Sequence, residues 1–355
     1  MSAPRLEIDL DKLEANTRVL VDRLAPAGIR VTGVTKAVLG SPAVGAAMLR
    51  GGAEGLADSR VANLDRLAGL DGPTSRTLIR SPMLSQVDAV VRAATCSLNT
   101  EAAVLRALDG AAELAGLRHD VVLMVELGDL REGIPVEDVA AAVRLVLAAP
   151  SLRLAGLGAN LACQNGVVPD DRNMGVLSDL VTTVETSYDV TLTTVSGGNS
   201  ANLDWAVSST NVGRINDLRL GEAILLGVEP LNRTPLEGLH RDAFALVGEV
   251  IERVDKPFQP WGDQAQSAFG VVPDRTGTGT VRQAIVALGR QDADPDGLVP
   301  PDGITVLGMS SDHLVLDLGD HPSAVGEEIR FGLGYGALVR AATSPFVSRR
   351  ERTGC

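Results

Sequence analysis

Lysine is scarce in this chain. Of 32 lysines and arginines only Lys12, Lys36 and Lys256 are lysines. Lys12 and Lys256 lie among polar neighbours, whereas Lys36 closes the apolar run VTGVTK and is followed by AVLG. An amine at the end of an apolar strand is partly desolvated. Its pKa falls and it becomes nucleophilic toward carbonyls, which is the chemistry of a Schiff base. The same position also suits a lysine that snorkels to water. Further along, Ser196-Gly197-Gly198-Asn199-Ser200 follows an apolar run and opens a helical stretch. Close-approaching glycine backbone, a helix start and a hydroxyl are what a phosphate needs. An ordinary serine helix cap after a glycine turn has the same appearance.

These residues need elements to position them. Up to about residue 230, short apolar runs at 31–35, 55–57, 77–80, 95–98, 121–126, 153–160, 192–195 and 217–220 read as strands. Between them lie Ala- and Leu-rich stretches with helical spacing, among them 43–50, 100–117, 136–149 and 176–188. Strands alternating with helices imply a parallel sheet, and runs apolar throughout imply burial on both faces. Eight repeats match an α/β fold of the (β/α)8 TIM-barrel type, with its site at the C-terminal strand ends. A doubly wound open sheet is the competing arrangement. After about residue 235 the pattern changes to strands without long helices, at 243–253, 282–288, 304–309, 314–318 and 328–331, punctuated by Gly and Pro. This reading gives a barrel over 1–235, a C-terminal all-β domain over 236–355, and a mobile tail from residue 348.

Composition narrows the function. With 45% hydrophobic and only 3% aromatic residues, aliphatic side chains must fill the core. The formal net charge of -13 disfavours nucleic acid and anionic membrane as partners. The charged N-terminus lacks a signal-peptide stretch, and no run of about 18 apolar residues reads as a membrane span. Cys96, Cys163 and Cys355 fit neither a metal motif nor a disulfide framework, and the four histidines (119, 240, 313, 321) do not pair at metal-ligand spacing. The expectation is a cytoplasmic protein without a catalytic metal.

The opening PRLEIDLDKLEANTRVL…VTGVTKAVLG resembles the pyridoxal-phosphate (PLP) enzymes of the alanine racemase fold type. The likeness is greatest to the alanine/ornithine racemase branch. It continues in order through LADSRVANL, RSPML, VELGDLREG, GANLAC, SGGNSAN, LRLGEAILLG, AFGVVPD, VALGRQD, GMSSDHLVLDL and GYGALVRAATSPFV, nearly the whole chain. The resemblance implies racemisation of a free amino acid in a homodimer with shared active sites. Lys36 would hold the cofactor aldehyde and also act as one of two bases. Ser200, the amides of Gly221 and Glu222, and the Tyr335 hydroxyl would bind its phosphate. Arg219 would face the pyridine nitrogen; because it keeps its proton, the ring stays a weak electron sink. Taken without the resemblance, Arg219 reads as a barrel-end salt bridge and Tyr335 as a packing residue. Asn160 falls where related racemases place a histidine.

Arg131 would grip the substrate carboxylate bidentately, and Ser311, in the segment 310–313, would bind it through a backbone amide. The chain departs from the pattern at two places. Met124 replaces the lysine whose carbamylated form orients the arginine elsewhere, which leaves Asp129 or Glu132 to steady Arg131 or to bind a cationic substrate side chain. Phe269 occupies the place of the partner's tyrosine base, and phenylalanine carries no proton. His313, with a suitable unperturbed pKa, and Asp312 are the nearest candidates for the second base; the alternative is that His313 opens a strand and hydrogen-bonds only backbone. The substrate is then ornithine, lysine or alanine. The rival readings are a decarboxylase or aldolase on the same fold, a non-catalytic PLP-binding protein, and a barrel aldolase using Lys36 without PLP.

Overall fold

The computed structural model describes residues 2–70, 75–270 and 277–354. Two compact units are present: one runs from Leu10 to Arg241, and the other joins the residues up to Asp9 with those from Asp242 on. Strand β1 (Arg5–Asp9) belongs to the second unit.

The first unit opens with helix α1 (Leu10–Leu24) and then alternates strand and helix: β2 (Arg30–Val34), α2 (Pro42–Arg50), β3 (Gly55–Asp58), α3 (Val61–Leu67), β4 (Ser75–Leu78), α4 (Val87–Ala93), β5 (Cys96–Asn99), α5 (Ala102–Ala115), β6 (His119–Met124), α6 (Val139–Leu147), β7 (Leu152–Gly158), α7 (Asp171–Tyr188), β8 (Thr194–Gly198), α8 (Leu203–Ser208), β9 (Asp217–Leu220) and α9 (Glu222–Leu226). Strands β2 to β9 close a barrel, each parallel to the next, and β9 returns to β2 with Thr32 beside Arg219. The eight runs expected as strands are these eight, and the open-sheet alternative falls with the closure. Every residue of β3 and β9 is buried, as expected of a parallel sheet covered on both faces, although β9 alternates leucine with the buried Asp217 and Arg219. At Gly156 an added Cβ would lie 1.7 Å from the Thr194 carbonyl oxygen, so only glycine permits β7 and β8 to meet there.

The expected boundary near residue 235 lies six residues short of Arg241. Asn16 of α1 accounts for the difference. Its amide donates to the carbonyls of Ile224 and His240 and accepts from the His240 N–H, tying that segment to the barrel.

The second unit adds β10 (Phe244–Pro257), β11 (Thr280–Val286), β12 (Leu298–Val299), β13 (Thr305–Met309), β14 (Leu314–Asp317), β15 (Glu328–Leu333), helix α10 (Tyr335–Thr343) and β16 (Ser348–Arg352). The sheet order is β12-β15-β10-β11-β14-β13, and β1 pairs with both β10 and β16. The tail expected to be mobile is instead a strand up to Arg352, paired in parallel with β1. Its arginines hold it there. Arg330 and Arg352 both pair with Glu7, whose carboxylate is 2% exposed, and Arg5 binds Glu7 at 2.9 Å and Glu328 at 2.5 and 2.7 Å. Cys355 lies outside the described residues.

Candidate active site

Lys36 sits just beyond β2, at the barrel's C-terminal end. Thr35 fixes its backbone: the amide donates to the Ala57 carbonyl at 3.0 Å and the hydroxyl to Asp58 at 2.8 Å. Lys36–Val38 then form one 3-10 turn, closed by Leu39 and Gly40 in the left-handed region, with φ of 55° and 62°. Gly40 is required twice over, because an added Cβ would also fall 2.6 Å from the Asn63 carbonyl. The Lys36 side chain is open to solvent, as an amine that must meet a ligand requires. The surrounding protein still desolvates the amine in part. That desolvation is the largest influence and lowers its pKa; the Cys163 thiol opposes, and the Arg131 and Arg219 guanidiniums push the same way as burial.

Arg219 projects from β9 and is 5% exposed. Its Nη1 donates to Ser196 Oγ at 2.5 Å, and its Nη2 to the Ala159 carbonyl at 2.9 Å and Asn160 Oδ1 at 3.3 Å. Asn160 is therefore an acceptor behind Arg219, and it also receives Asn199 Nδ2 at 3.2 Å. Its own Nδ2 is buried and has no partner among the described residues. A buried donor without an acceptor is costly, which makes it a natural place for a ligand acceptor.

Arg131 forms a two-point ion pair with Glu132 through Nε and Nη2. The Glu132 hydrogen bond is the main cause that keeps Arg131 charged. Of the two carboxylates expected to steady it, Glu132 takes that part. Asp129 instead accepts the backbone N–H groups of Cys163, Gln164 and Asn165, at 3.2, 3.0 and 3.0 Å, and so fixes the loop after β7. That loop carries Cys163, a free and exposed thiol that receives Asn199 Nδ2 at 3.4 Å. Cys163 belongs to the mouth and was not among the expected site residues. Its position three residues after Asn160, in GANLAC, is the signal that points to it.

Ser200 is 3% exposed, and its hydroxyl accepts the Ala223 N–H at 3.2 Å. The contact ties the turn after β8 to the start of α9, where Gly221 and Glu222 present their amides. A Cβ on Gly221 would crowd Val34 at 3.3 Å. The Glu222 carboxylate pairs with Arg233.

The remaining expected residues lie in the second unit. Tyr335 begins α10. Ser311, Asp312 and His313 form the turn between β13 and β14, closed by the Ser310 N–H to the His313 carbonyl at 2.9 Å. Asp312 accepts from Gln291 Nε2 at 2.7 Å and from Ser311 Oγ at 2.8 Å. The His313 imidazole is exposed and has no hydrogen bond among the described residues. Phe269 lies under the Arg290 guanidinium, 4.7 Å from the ring centroid, a cation–π contact. The rest of AFGVVPD, 271–274, lies outside the described residues. Within the barrel the structure thus brings together Lys36, Arg131, Asn160 and Arg219, with Ser200, Gly221 and Glu222 on adjoining loops; Tyr335, Ser311, Asp312 and His313 stand in the other unit.

Comparison with known proteins bears on the family and the fold. An ornithine racemase of Acetoanaerobium sticklandii is 34% identical over 98% of this chain and 99% of its own. A lysine racemase of Thermotoga maritima is 35% identical over 98% of both chains. Among solved structures, an alanine racemase of Streptomyces coelicolor matches with a TM-score of 0.78 at 21% identity, covering 98% of this chain and 97% of that one. A D-threonine aldolase of Filomicrobium marinum matches at 0.74 and 20%, covering 96% and 88%. These likenesses speak for the fold alone. The family model for the alanine racemase N-terminal domain matches residues 8–230, the span that builds the barrel and its mouth, and on that match together with the two racemase relatives the chain belongs to the alanine racemase family.

Proposed function

We propose that the chain racemises a free diamino acid, ornithine or lysine, using pyridoxal phosphate anchored at Lys36. The observation that carries this reading is the meeting of Lys36, Arg131 and Arg219 in one barrel mouth. The residues fit the cofactor. A buried hydroxyl and two backbone amides at Ser200, Gly221 and Glu222 suit its phosphate. Arg219 suits the ring nitrogen, and the unpartnered Asn160 Nδ2 offers a donor behind it. When bound, the cofactor supplies an aldehyde that joins amines covalently and a ring that draws electrons from the α-carbon.

The chain's own groups do the rest. Arg131, braced by Glu132, binds and orients the substrate carboxylate. The depressed pKa of Lys36 leaves more of its amine neutral near pH 8 than an ordinary lysine would have, so it can take a proton from one face of the α-carbon. His313 of a second copy returns a proton on the other face; its imidazole is exposed, whereas Asp312 is already committed to Gln291 and Ser311. Two copies sharing each site make a homodimer the working form. The names of the two racemase relatives favour ornithine or lysine over alanine. Cys96 and Cys163 are free thiols, in keeping with a reducing cytoplasm.

The test is a panel of L-amino acids in deuterated buffer with cofactor-loaded protein, scored for α-deuteration and chirality. Ornithine or lysine should exchange and invert, and Lys36→Ala should abolish both. Turnover of alanine with none of ornithine or lysine would overturn the substrate; absence of cofactor uptake would overturn the reading itself.

A further inference from the structure

Arg219 is buried without touching a carboxylate. Its hydrogen bonds go to a serine hydroxyl, a backbone carbonyl and an asparagine oxygen. A buried cation held only by neutral acceptors is costly. Its counter-charge lies one hydroxyl away. Ser196 Oγ accepts from Arg219 Nη1 at 2.5 Å and donates its own proton to Asp217 Oδ2 at 2.5 Å. The other oxygen, Oδ1, accepts from Thr32 Oγ1 at 2.6 Å. Asp217 is 7% exposed, and both of its oxygens are therefore occupied by donors, as a carboxylate requires. Behind Arg219 lies a cavity of about 180 Å³ lined by Thr32, Ser196, Asp217, Asp120 and Arg153 among others. Its size and polar lining suit several waters.

Asp217 and Arg219 are two apart on β9, so both side chains leave the strand on one side. Ser196 stands opposite Asp217 in the register of β8 with β9. The relay follows from strand geometry alone and uses no loop.

We propose that Asp217 is a positioning residue which, through Ser196, fixes the orientation of Arg219 and thereby sets the electrostatic potential at the ring end of the cofactor site. The proposal rests on the functional reading above. Burial lowers the Arg219 pKa and Asp217 is the leading influence that restores it; Cys163, Glu132 and Arg131 are the other charged or titratable groups acting on Arg219. Of these, Asp217 alone is linked to it by two hydrogen bonds in series through fully buried atoms. Arg131 and Glu132, by contrast, neutralise one another.

The experiment is a pH titration of the bound cofactor's absorbance in the loaded holoenzyme, alongside cofactor stoichiometry and thermal unfolding. Without Asp217 to draw it back through Ser196, the Arg219 guanidinium turns its uncompensated charge toward the ring end, which disfavours the protonated form of the bound chromophore. Asp217→Asn should therefore move the midpoint to lower pH by roughly half a unit or more, while binding one cofactor per chain. Ser196→Ala, which cuts the link but keeps the carboxylate, should shift it in the same direction by less. Thr32→Val removes the other Asp217 hydrogen bond without cutting the path to Arg219 and should leave the midpoint in place. In an Arg219→Gln background the Asp217→Asn shift should vanish, since the effect passes through Arg219. An unmoved midpoint in Asp217→Asn, or a shift that survives Arg219→Gln, overturns the relay while leaving the racemase reading intact. A wild-type chain that takes up no cofactor overturns both.

Discussion

At the scale of single residues, the protonation of Lys36 decides what the mouth can do. Its amine attacks an aldehyde only when neutral, and desolvation together with Arg131 and Arg219 holds its pKa below the ordinary value. Cofactor uptake should then rise with pH and reach half its limit below about 10.4, the value of a free lysine. Arg131→Gln removes one of the lowering charges without filling the site. The midpoint for uptake should move upward in that variant, read from the rate of cofactor incorporation by apo-protein across pH. A midpoint that stays or falls would mean that Arg131 does not act on Lys36. Lysine scarcity made Lys36 visible in the sequence. Cys163 was not visible, because a search for metal and disulfide spacings passes over a lone thiol on a loop; only the Asp129 carboxylate gathering that loop's amides shows where it stands. The Arg219–Ser196–Asp217 chain was legible in part. Strand period 2 puts residues 217 and 219 on one side, but the register that sets Ser196 against them appears only when the barrel closes.

At the scale of elements, the eight barrel strands were legible because short strand-forming runs recur between Ala- and Leu-rich stretches of helical spacing. Strands β1 and β16 were not. Their partners are more than 200 residues away in sequence, and SRRER reads as a solvated tail. What makes it a strand is Glu7, one buried carboxylate shared by Arg5, Arg330 and Arg352. Burial pushes Glu7 up, but the hydrogen bonds from Arg5 and Arg330 outweigh it and hold the group below its ordinary range. A depressed folded pKa contributes stability above the unfolded value of about 4.3, and that contribution is lost as pH falls through the folded value. Glu7→Gln leaves the guanidiniums without their counter-charge and should cost roughly 3 kcal/mol at neutral pH. The difference from wild type should shrink below about pH 4. Denaturant unfolding at both pH values reads this, and a pH-independent difference would show that Glu7 acts by packing rather than charge.

The turn at 310–313 is placed by an equally specific device. Arg290 N–H donates to the Ser310 carbonyl at 2.9 Å, and a Cβ on Gly289 would fall 1.8 Å from the Ser311 oxygen. Glycine at 289 lets the two loops approach closely enough for these backbone hydrogen bonds, which fix the turn that carries Ser311, Asp312 and His313. That is the behaviour expected of a segment that presents a base to a site.

At the scale of the whole molecule, the residues proposed for the chemistry are divided between the two units of the chain. Lys36, Arg131 and Arg219 belong to the barrel, and His313 to the sheet. If each active site takes its barrel from one copy and its His313 from another, two different lesions must complement each other. Lys36→Ala chains lack the cofactor amine, and His313→Gln chains lack the second base; each alone should racemise at a small fraction of the wild-type rate. Unfolded together and refolded at equal amounts, half of the dimers will be mixed under random pairing. In a mixed dimer with two-fold symmetry of the sites, one site carries both lesions and the other carries neither. One intact site in half of the dimers restores about a quarter of wild-type activity per total protein. A site built wholly within one chain would recover nothing, since every site in every dimer would then hold one lesion. A His313→Gln protein that racemises normally by itself would instead remove that histidine from the chemistry and return the second base to Asp312.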